Sequence, residues 1–130
     1  MGREIRFRTY IKELAIVIPV QCINFNCTTV EVRLDEGDFW ELDFEEVKLM
    51  QFTNLLDKNG IPIYEGDIVK ISYISPFDNE EKSHIWVVEY ETGMYWLRDV
   101  NKMNQYDSFL FLKFTRIEVI GNIYENPEFI

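Results

Sequence analysis

The sequence predicts a mainly β protein with little helix, and three observations carry this prediction. Apolar and charged residues alternate along several stretches, which is typical of half-buried strands. Aromatic residues, which favour strands over helices, make up 15% of the chain. Turn residues separate the stretches, and Asn59-Gly60 is the strongest hairpin signal. At 130 residues and 47% hydrophobic, the chain can form one domain or two small β units that share a core.

Residues 1–48 predict an amino-terminal β unit that begins with two strands. Charged and apolar residues alternate over 4–9, so the first strand is expected there with its charges outward. The apolar run 14–18 predicts a second, buried strand, and Pro19 is expected to end it because proline cannot donate to a sheet ladder.

A hairpin is expected next. Residues 30–34 and 40–44 both alternate apolar with charged side chains, and the turn sequence 35–38 joins them. The pattern Asp43-Phe44-Glu45-Glu46 is typical of a capping box and predicts a single helical turn leading into Leu49.

The stretch 49–71 has the strongest local patterning in the chain. Two apolar runs, 49–52 and 68–71, are joined by the turn sequence Asp57-Lys58-Asn59-Gly60 and by a second bend at Glu65-Gly66-Asp67. This is scaffold chemistry, and it contains no reactive centre.

The remaining elements are expected to be short and to form a small barrel. A polar loop is expected at 75–82, followed by strands at 84–90 and 94–98 around a Thr92-Gly93 turn and by a second polar loop at 101–107. Residues 109–112 are expected to form a buried strand or a packed helical turn. The last strand is expected near 117–123, with Gly121 at a bend or bulge, and Asn126-Pro127 closes the chain as an extended tail. Closing this sheet would remove its exposed edges. The predicted units are therefore 1–48 and 49–130, with a shared core or as one intertwined domain.

Two segments carry a family resemblance. The sequence LMQFTNLLDKNGIPIYEGDIVKI (49–71) and the ending IGNIYENPEF (120–129) resemble the signatures of the YopX family of small bacteriophage and prophage proteins. The opening REIRFR, residues 3–8, is similar to the usual start of the family. The resemblance implies an SH3-like barrel in the carboxyl-terminal part and self-association.

The sequence departs from the family pattern at two places. Tyr10-Ile11 stands where the family usually has an aromatic-aspartate pair, and Asn54 stands where it usually has glycine. Because asparagine accepts a positive φ more readily than other non-glycine residues, Asn54 is expected to keep the backbone shape.

The formal net charge of −10 argues against duplex nucleic acid as a partner, because nonspecific binding depends on neutralising phosphates with Lys and Arg. Eight acidic residues fall within 31–46 against the single basic Arg33: Glu31, Asp35, Glu36, Asp38, Glu41, Asp43, Glu45 and Glu46. This acidic block either forms a solvated face or imitates a phosphate backbone and binds a basic host protein. The first twelve residues are basic (Arg3, Arg6, Arg8, Lys12), so the two regions are able to pair within or between subunits.

Candidate catalytic and metal-binding groups are few. His84, the only histidine, is either a surface residue or a general base with Asp78 or Ser83. The sequence 57–60 resembles part of a calcium loop, but its spacing places Leu55 and Gly66 at ligand positions, so the match fails. The sequence therefore predicts no catalytic residue, no metal and no cofactor.

Cys22 and Cys27 are separated by four residues, which does not fit a structural zinc site with only one histidine available. Their spacing leaves a disulfide open. Neither a signal peptide nor a transmembrane run is expected, which favours the cytoplasm and reduced thiols.

Two groups of residues allow both a structural and a functional interpretation. The first group either packs in the core or forms a base-stacking platform for single-stranded nucleic acid: Trp86, Tyr90, Tyr95 and Trp96. The second group is interpreted as residues that shape the backbone: Tyr64, Glu65, Gly66, Asp67, Gly121 and Asn122. The sequence thus predicts a non-enzymatic, self-associating binding or structural module, with three alternatives: an acidic inhibitor, a single-strand binder and a His84 hydrolase.

Overall fold

The computed structural model describes residues 2–35, 37–100, 106–108 and 116–130. These residues form eleven strands: β1 Phe7–Ile11, β2 Ile16–Asn24, β3 Thr29–Asp35, β4 Asp38–Asp43, β5 Val47–Leu56, β6 Pro62–Tyr64, β7 Asp67–Ile74, β8 Glu81–Glu91, β9 Met94–Asp99, β10 Tyr106–Ser108 and β11 Arg116–Asn122. In the described part of the chain the only helical pieces are two 3₁₀ turns, Phe44–Glu46 and Pro127–Phe129. The prediction of a mainly β protein is confirmed. No helix among these residues is long and apolar enough to cross a bilayer.

The first compact unit comprises Met1–Phe52, whereas the predicted division lies between residues 48 and 49. Its strands are antiparallel neighbours in the order β4-β3-β2-β1-β5. One face of this sheet is apolar because alternate residues of each strand point to the same side. Its buried members are Ile11, Val30, Val32, Leu42 and Val47.

The prediction that Pro19 ends the second strand is wrong. β2 continues through Pro19, which lies opposite Arg8 of β1, and reaches Asn24. The pairing register with β3 shifts between Val20 and Cys22, immediately after the proline. Bulges are among the places where a sheet accepts a residue that cannot donate, so the bulge accounts for the proline inside β2.

The predicted hairpin is confirmed as β3 and β4, which pair from Thr29 opposite Asp43 to Asp35 opposite Asp38. The predicted helical turn is also confirmed, as the 3₁₀ turn Phe44–Glu46. The capping box is wrong, because the Asp43 side chain makes no capping hydrogen bond. The Phe44 N–H at the start of this turn donates instead to the Thr28 carbonyl (2.9 Å), so a backbone acceptor holds the turn.

The second compact unit comprises Thr53–Ile130 and contains an antiparallel sheet in the order β10-β9-β8-β7-β11. β6 lies beside β5, where the Thr53 hydroxyl donates to the Ile63 carbonyl (2.7 Å). The buried core comprises Ile63, Val69, Ile71, Trp86, Val88, Leu97 and Ile117. The strand pairings among the described residues leave this sheet open, so the SH3-like barrel stays a prediction.

Backbone angles and strand register confirm three local predictions. Thr92 (φ 49°) and Gly93 (φ 84°) both have positive φ, which makes the tight turn between β8 and β9. Asn54 has φ 68°, so it does reproduce a conformation that suits glycine. The register of β11 against β7 shifts between Val119 and Gly121, which is the predicted bulge.

The carboxyl-terminal tail differs from its prediction, because Asn126-Pro127 leads into the 3₁₀ turn Pro127–Phe129 instead of an extended segment. Proline at the start of a helical turn loses no hydrogen bond, since the first N–H groups have no partner there in any case. The predicted polar loop at 101–107 is wrong at its end, because Tyr106 and Asp107 lie in β10, paired with Arg98 and Leu97 of β9. The predictions for residues 101–105 and 109–112 lie outside the described residues.

Candidate functional site

The Asp57 carboxylate makes three hydrogen bonds to backbone N–H groups in the segment 49–71 and in β11. One of its oxygens accepts N–H groups of Asn59 (2.8 Å) and Ile61 (2.9 Å), which closes the turn. The other accepts the Val119 N–H of β11 (3.0 Å), which is 62 residues away in the chain. Both oxygens are therefore used to hold backbone, and the turn is fixed to β11.

Two further contacts join this turn to β11. The Lys58 N–H donates to the Ile117 carbonyl (2.9 Å), and the Lys58 ammonium lies 3.3 Å from a Glu118 carboxylate oxygen. The second contact is exposed, so it contributes little to stability. Asp57 and the Lys58 backbone thus join the first resembling segment to β11, the strand that leads into the second one, within the second unit.

The sequence Tyr64-Glu65-Gly66-Asp67 forms a tight turn between β6 and β7. The buried Asp67 side chain accepts the Tyr64 N–H (2.8 Å), so Asp67 caps its own turn as predicted. Gly66 has φ 85°, donates to the Val88 carbonyl (2.7 Å) and accepts from the Ile123 N–H (2.9 Å). A residue with a Cβ would be strained at this φ, which explains the glycine.

Asn122 organises the chain after β11. Its side-chain oxygen accepts the N–H groups of Tyr124 (3.0 Å) and Glu125 (2.8 Å), and its amide nitrogen donates to the Glu125 carboxylate (2.9 Å). Its own N–H donates to the Asn126 side chain (3.2 Å). These bonds shape backbone, which agrees with the interpretation made from the sequence.

We expect Gly121→Ala to lower the free energy of unfolding by about 1–2 kcal/mol. A Cβ at Gly121 would lie 2.5 Å from the Asn126 side-chain oxygen and 3.0 Å from its Cβ, so Asn126 has to move and its bond to Asn122 breaks. Urea denaturation measures the loss. Gly2→Ala is the control, because a Cβ there meets nothing within 4 Å. An equal cost of Gly121→Ala in an Asn126→Ala background would contradict the explanation.

His84 is half-buried and stacks on Tyr73, with ring centroids 6.0 Å apart. Its ring nitrogen lies 3.5 Å from the Tyr73 hydroxyl. Asp78 is instead used in its own loop, where the Glu80 N–H and then the Lys82 ammonium hold the pKa of the carboxyl below its ordinary value. Ser83 lies opposite Ser72 in the sheet. Within the described residues, the structure does not assemble His84 with Asp78 or Ser83.

The four aromatic residues proposed as a stacking platform lie on two faces of the second sheet. Trp86, Tyr90 and Tyr95 share one face, and Trp86 is buried in the core as the structural interpretation predicted. Trp96 lies opposite Glu89, on the other face. Exposed Tyr90 and half-buried Tyr95 form an edge-to-face pair, with ring centroids 5.2 Å apart.

The acidic block occupies the β3–β4 hairpin, and two of its acidic pairs stand directly opposite each other. Glu31 pairs with Glu41, and Asp35 pairs with Asp38 across the turn. Opposed like charges destabilise a sheet, so this hairpin carries an unfavourable electrostatic energy. Glu36 lies outside the described residues.

The two cysteines lie in the β2–β3 hairpin, Cys22 in β2 and Cys27 in the loop that connects the strands. Both are exposed and have free thiols. Among the described residues, no group of three or more His, Cys, Asp and Glu side chains is arranged to hold a metal ion. One feature of this hairpin escaped the sequence analysis: Cys22 faces a small crevice that also contacts Thr29 and the Glu31–Glu41 pair. Reading the cross-strand register of β3 and β4 would have revealed the glutamate pair.

Comparison with known proteins decides the family. Residues 6–130 match the family model described as YopX protein, which covers nearly the whole chain. The chain belongs to the YopX family. The resemblance inferred from residues 49–71 and 120–129 is thereby confirmed.

Proteins with known sequences or structures resemble this chain in sequence or in fold. The SPbeta prophage-derived uncharacterized protein YopX of Bacillus subtilis is 35% identical over 71 residues, which span 52% of this chain and 49% of that relative. The matched region is therefore about half the length of that protein. In crystal structures, protein EF1440 from Enterococcus faecalis has a TM-score of 0.64 (22% identity, 98% of this chain and 99% of that one), and yopX from Bacillus subtilis has 0.61 (21%, 95% and 94%). These structural similarities establish the fold.

Proposed function

We propose that this YopX-family protein is a prophage-type, non-enzymatic module that self-associates in the cytoplasm and acts by binding or as a structural component. The relative from the SPbeta prophage supports the prophage origin. The use of the family-like side chains supports a role without catalysis, since Asp57, Asp67 and Asn122 bind backbone groups in their own unit. An SH3-like barrel in the second unit belongs to the same proposal.

Exposed apolar side chains are the observation that carries the self-association. Phe77 is 97% exposed at the tip of the loop between β7 and β8, and Phe25 and Ile5 are 77% and 73% exposed. Leaving such side chains in water costs free energy that an interface recovers, at about 25 cal/mol per Å² of apolar surface buried. Contiguous apolar surface is what marks an interaction site, so the proposal is that association brings these side chains of neighbouring copies together into one buried surface.

Light scattering coupled to size-exclusion chromatography should therefore give a discrete mass that is a multiple of the 15.6 kDa monomer. With the loop tip in the interface, we expect Phe77→Ser to lower this mass or to raise the protein concentration at which the assembly forms. The fold should not change, because surface substitutions usually alter stability by less than about 0.5 kcal/mol. A monomeric mass over the whole range up to millimolar protein would overturn the self-association.

A second candidate function is binding of a basic host protein by the acidic hairpin. The directly opposed pair Glu31–Glu41 favours it, because a cation placed between these carboxylates would remove their repulsion. Binding should weaken when Asp35, Asp38 and Glu41 become Asn or Gln, and high salt should weaken it as well.

The other two alternatives have less support. A single-strand binder needs stacked aromatic rings beside a basic groove, whereas Trp86 is buried and the chain carries a net charge of −10. Loss of Trp96 fluorescence on adding an oligonucleotide, reversed by salt, would revive it. A hydrolase needs His84 within hydrogen-bonding reach of an activated nucleophile or a carboxylate, whereas its ring nitrogen lies 3.5 Å from the Tyr73 hydroxyl, which is at the outer limit of a hydrogen bond.

A further inference from the structure

We propose that a crevice on the exposed face of β2, β3 and β4 binds the ammonium group of a lysine side chain from a basic partner protein. This inference rests on the second candidate function, the binding of a basic protein, and names the site at which that binding occurs. It is independent of self-association.

The crevice has a volume of about 60 Å³ and is lined by Cys22, Asn24, Thr29, Glu31 and Glu41. The sheet register explains this grouping. Cys22 pairs with Glu31, Glu31 pairs with Glu41, and Thr29 pairs with Asn24. Directly paired residues point to the same face, and residues two apart on one strand do so too, so all five side chains lie on the face opposite the apolar core.

Glu31 and Glu41 make the crevice favourable for a cation. They form a directly opposed pair on neighbouring strands, where side chains come within contact range. No ion pair joins either glutamate to a Lys or Arg among the residues that the structure describes. A cation entering the crevice meets two negative groups whose mutual repulsion it removes.

Thr29 is an independent indication that the crevice accepts a polar ligand. Its residue is only 8% exposed, and it lines the crevice. Within the described part of the chain, its hydroxyl makes no hydrogen bond to another protein group. The hydroxyl oxygen is not among the fully buried atoms without a partner, so it is reached from the crevice, where it is able to hydrogen-bond to a ligand.

The shape and chemistry of the crevice suit an ammonium group. An ammonium is compact and presents three donors, which match two carboxylates and a hydroxyl oxygen as acceptors. A metal ion is a poorer match, because the described residues include no metal-ligating group of three. A further exposed acid flanks the site at Asp43 of β4, directly opposite Thr29, so the ligand is expected to be a lysine within a basic protein segment.

Isothermal titration of the full chain with an octalysine peptide at low salt tests the proposal. The double variant Glu31→Gln with Glu41→Gln keeps side-chain size and should raise the dissociation constant at least tenfold. Asp35→Asn with Asp38→Asn is the matched control, because it lies on the same hairpin and also changes the net charge from −10 to −8. This control should raise the dissociation constant less than threefold.

Thr29→Val separates the crevice from general charge attraction, because it removes only the hydroxyl and leaves the charge unchanged. We expect it to raise the dissociation constant about fivefold, since hydrogen bonds to charged groups are the stronger ones. Circular dichroism melting checks that each variant folds. The glutamate double variant is expected to melt at the same temperature as the wild type or higher, because it removes the opposed charges.

Each outcome decides a different claim. If both double variants weaken octalysine binding equally, or Thr29→Val has no effect, the crevice is not the site and only the acidic hairpin as a whole binds basic proteins. If the wild type does not bind octalysine at low salt, both the crevice and the second candidate function fail. The self-association is decided separately by its light-scattering mass.

Discussion

Asp57→Asn should destabilise the protein by about 2–4 kcal/mol, because a buried carboxylate that accepts three backbone N–H groups becomes an amide with one acceptor oxygen. If the amide oxygen keeps the two turn bonds, its NH₂ group faces the Val119 N–H, and two donors then confront each other. Urea denaturation followed by circular dichroism measures the loss.

The control for this substitution is Asp38→Asn, which makes the same charge change at an exposed strand end. We expect it to alter the free energy of unfolding by less than about 0.5 kcal/mol. Equal urea midpoints for the two variants would show that the Asp57 bonds do not connect the turn to β11 in solution.

The pH dependence of the Asp57→Asn effect follows from the pKa of this carboxyl. Burial by itself raises the pKa, but the N–H donors of Val119, Ile61 and Asn59 outweigh it, so the pKa lies below its ordinary value. A lowered folded-state pKa stabilises the protein above the unfolded-state pKa, near 4, and this stabilisation is lost as the pH falls through the folded-state value. The difference between wild type and variant should therefore be complete at pH 6 and shrink below about pH 4.

Leu97→Ala should lower the free energy of unfolding by about 2–5 kcal/mol, which is the usual cost of emptying a fully buried leucine site. Leu97 on β9 is completely buried, pairs with Val88 in the sheet and belongs to the core of the second unit. The loss combines the transfer of a large apolar side chain to water with the cavity that remains. Chemical denaturation of the two proteins under identical conditions gives the difference.

Leu56→Ala is the matched control for the core substitution, because Leu56 lies in the same unit with its side chain 57% exposed. Its cost should be below about 1 kcal/mol. If both substitutions lower the free energy of unfolding by a similar amount, then Leu97 of β9 does not pack in the core of the second unit as described.

Local sequence patterns predicted the turns and the strands around them, because short-range sterics decide these features. Asn54 and Gly66 adopt the positive φ angles that their chemistry permits, and the β3–β4 hairpin follows its alternation. The prediction that Pro19 ends β2 was wrong because a bulge two residues later accommodates the proline. This bulge arises from the pairing of β2 with β3, which rules based on neighbouring residues do not take into account. The Asp43 cap failed for a similar reason, since the first N–H of that turn, at Phe44, binds the carbonyl of Thr28, which lies far away in the sequence.

By itself, the sequence determined the strand class, the tight turns and the YopX membership, since each depends on residues that are close together in the chain. Only the tertiary structure decided that the Asp57 turn binds β11, and that Glu31, Glu41 and Thr29 surround one crevice. The physical reason is that strand pairing brings together residues from distant positions or neighbouring strands, and its register sets which side chains share a face. Local propensities do not specify that register.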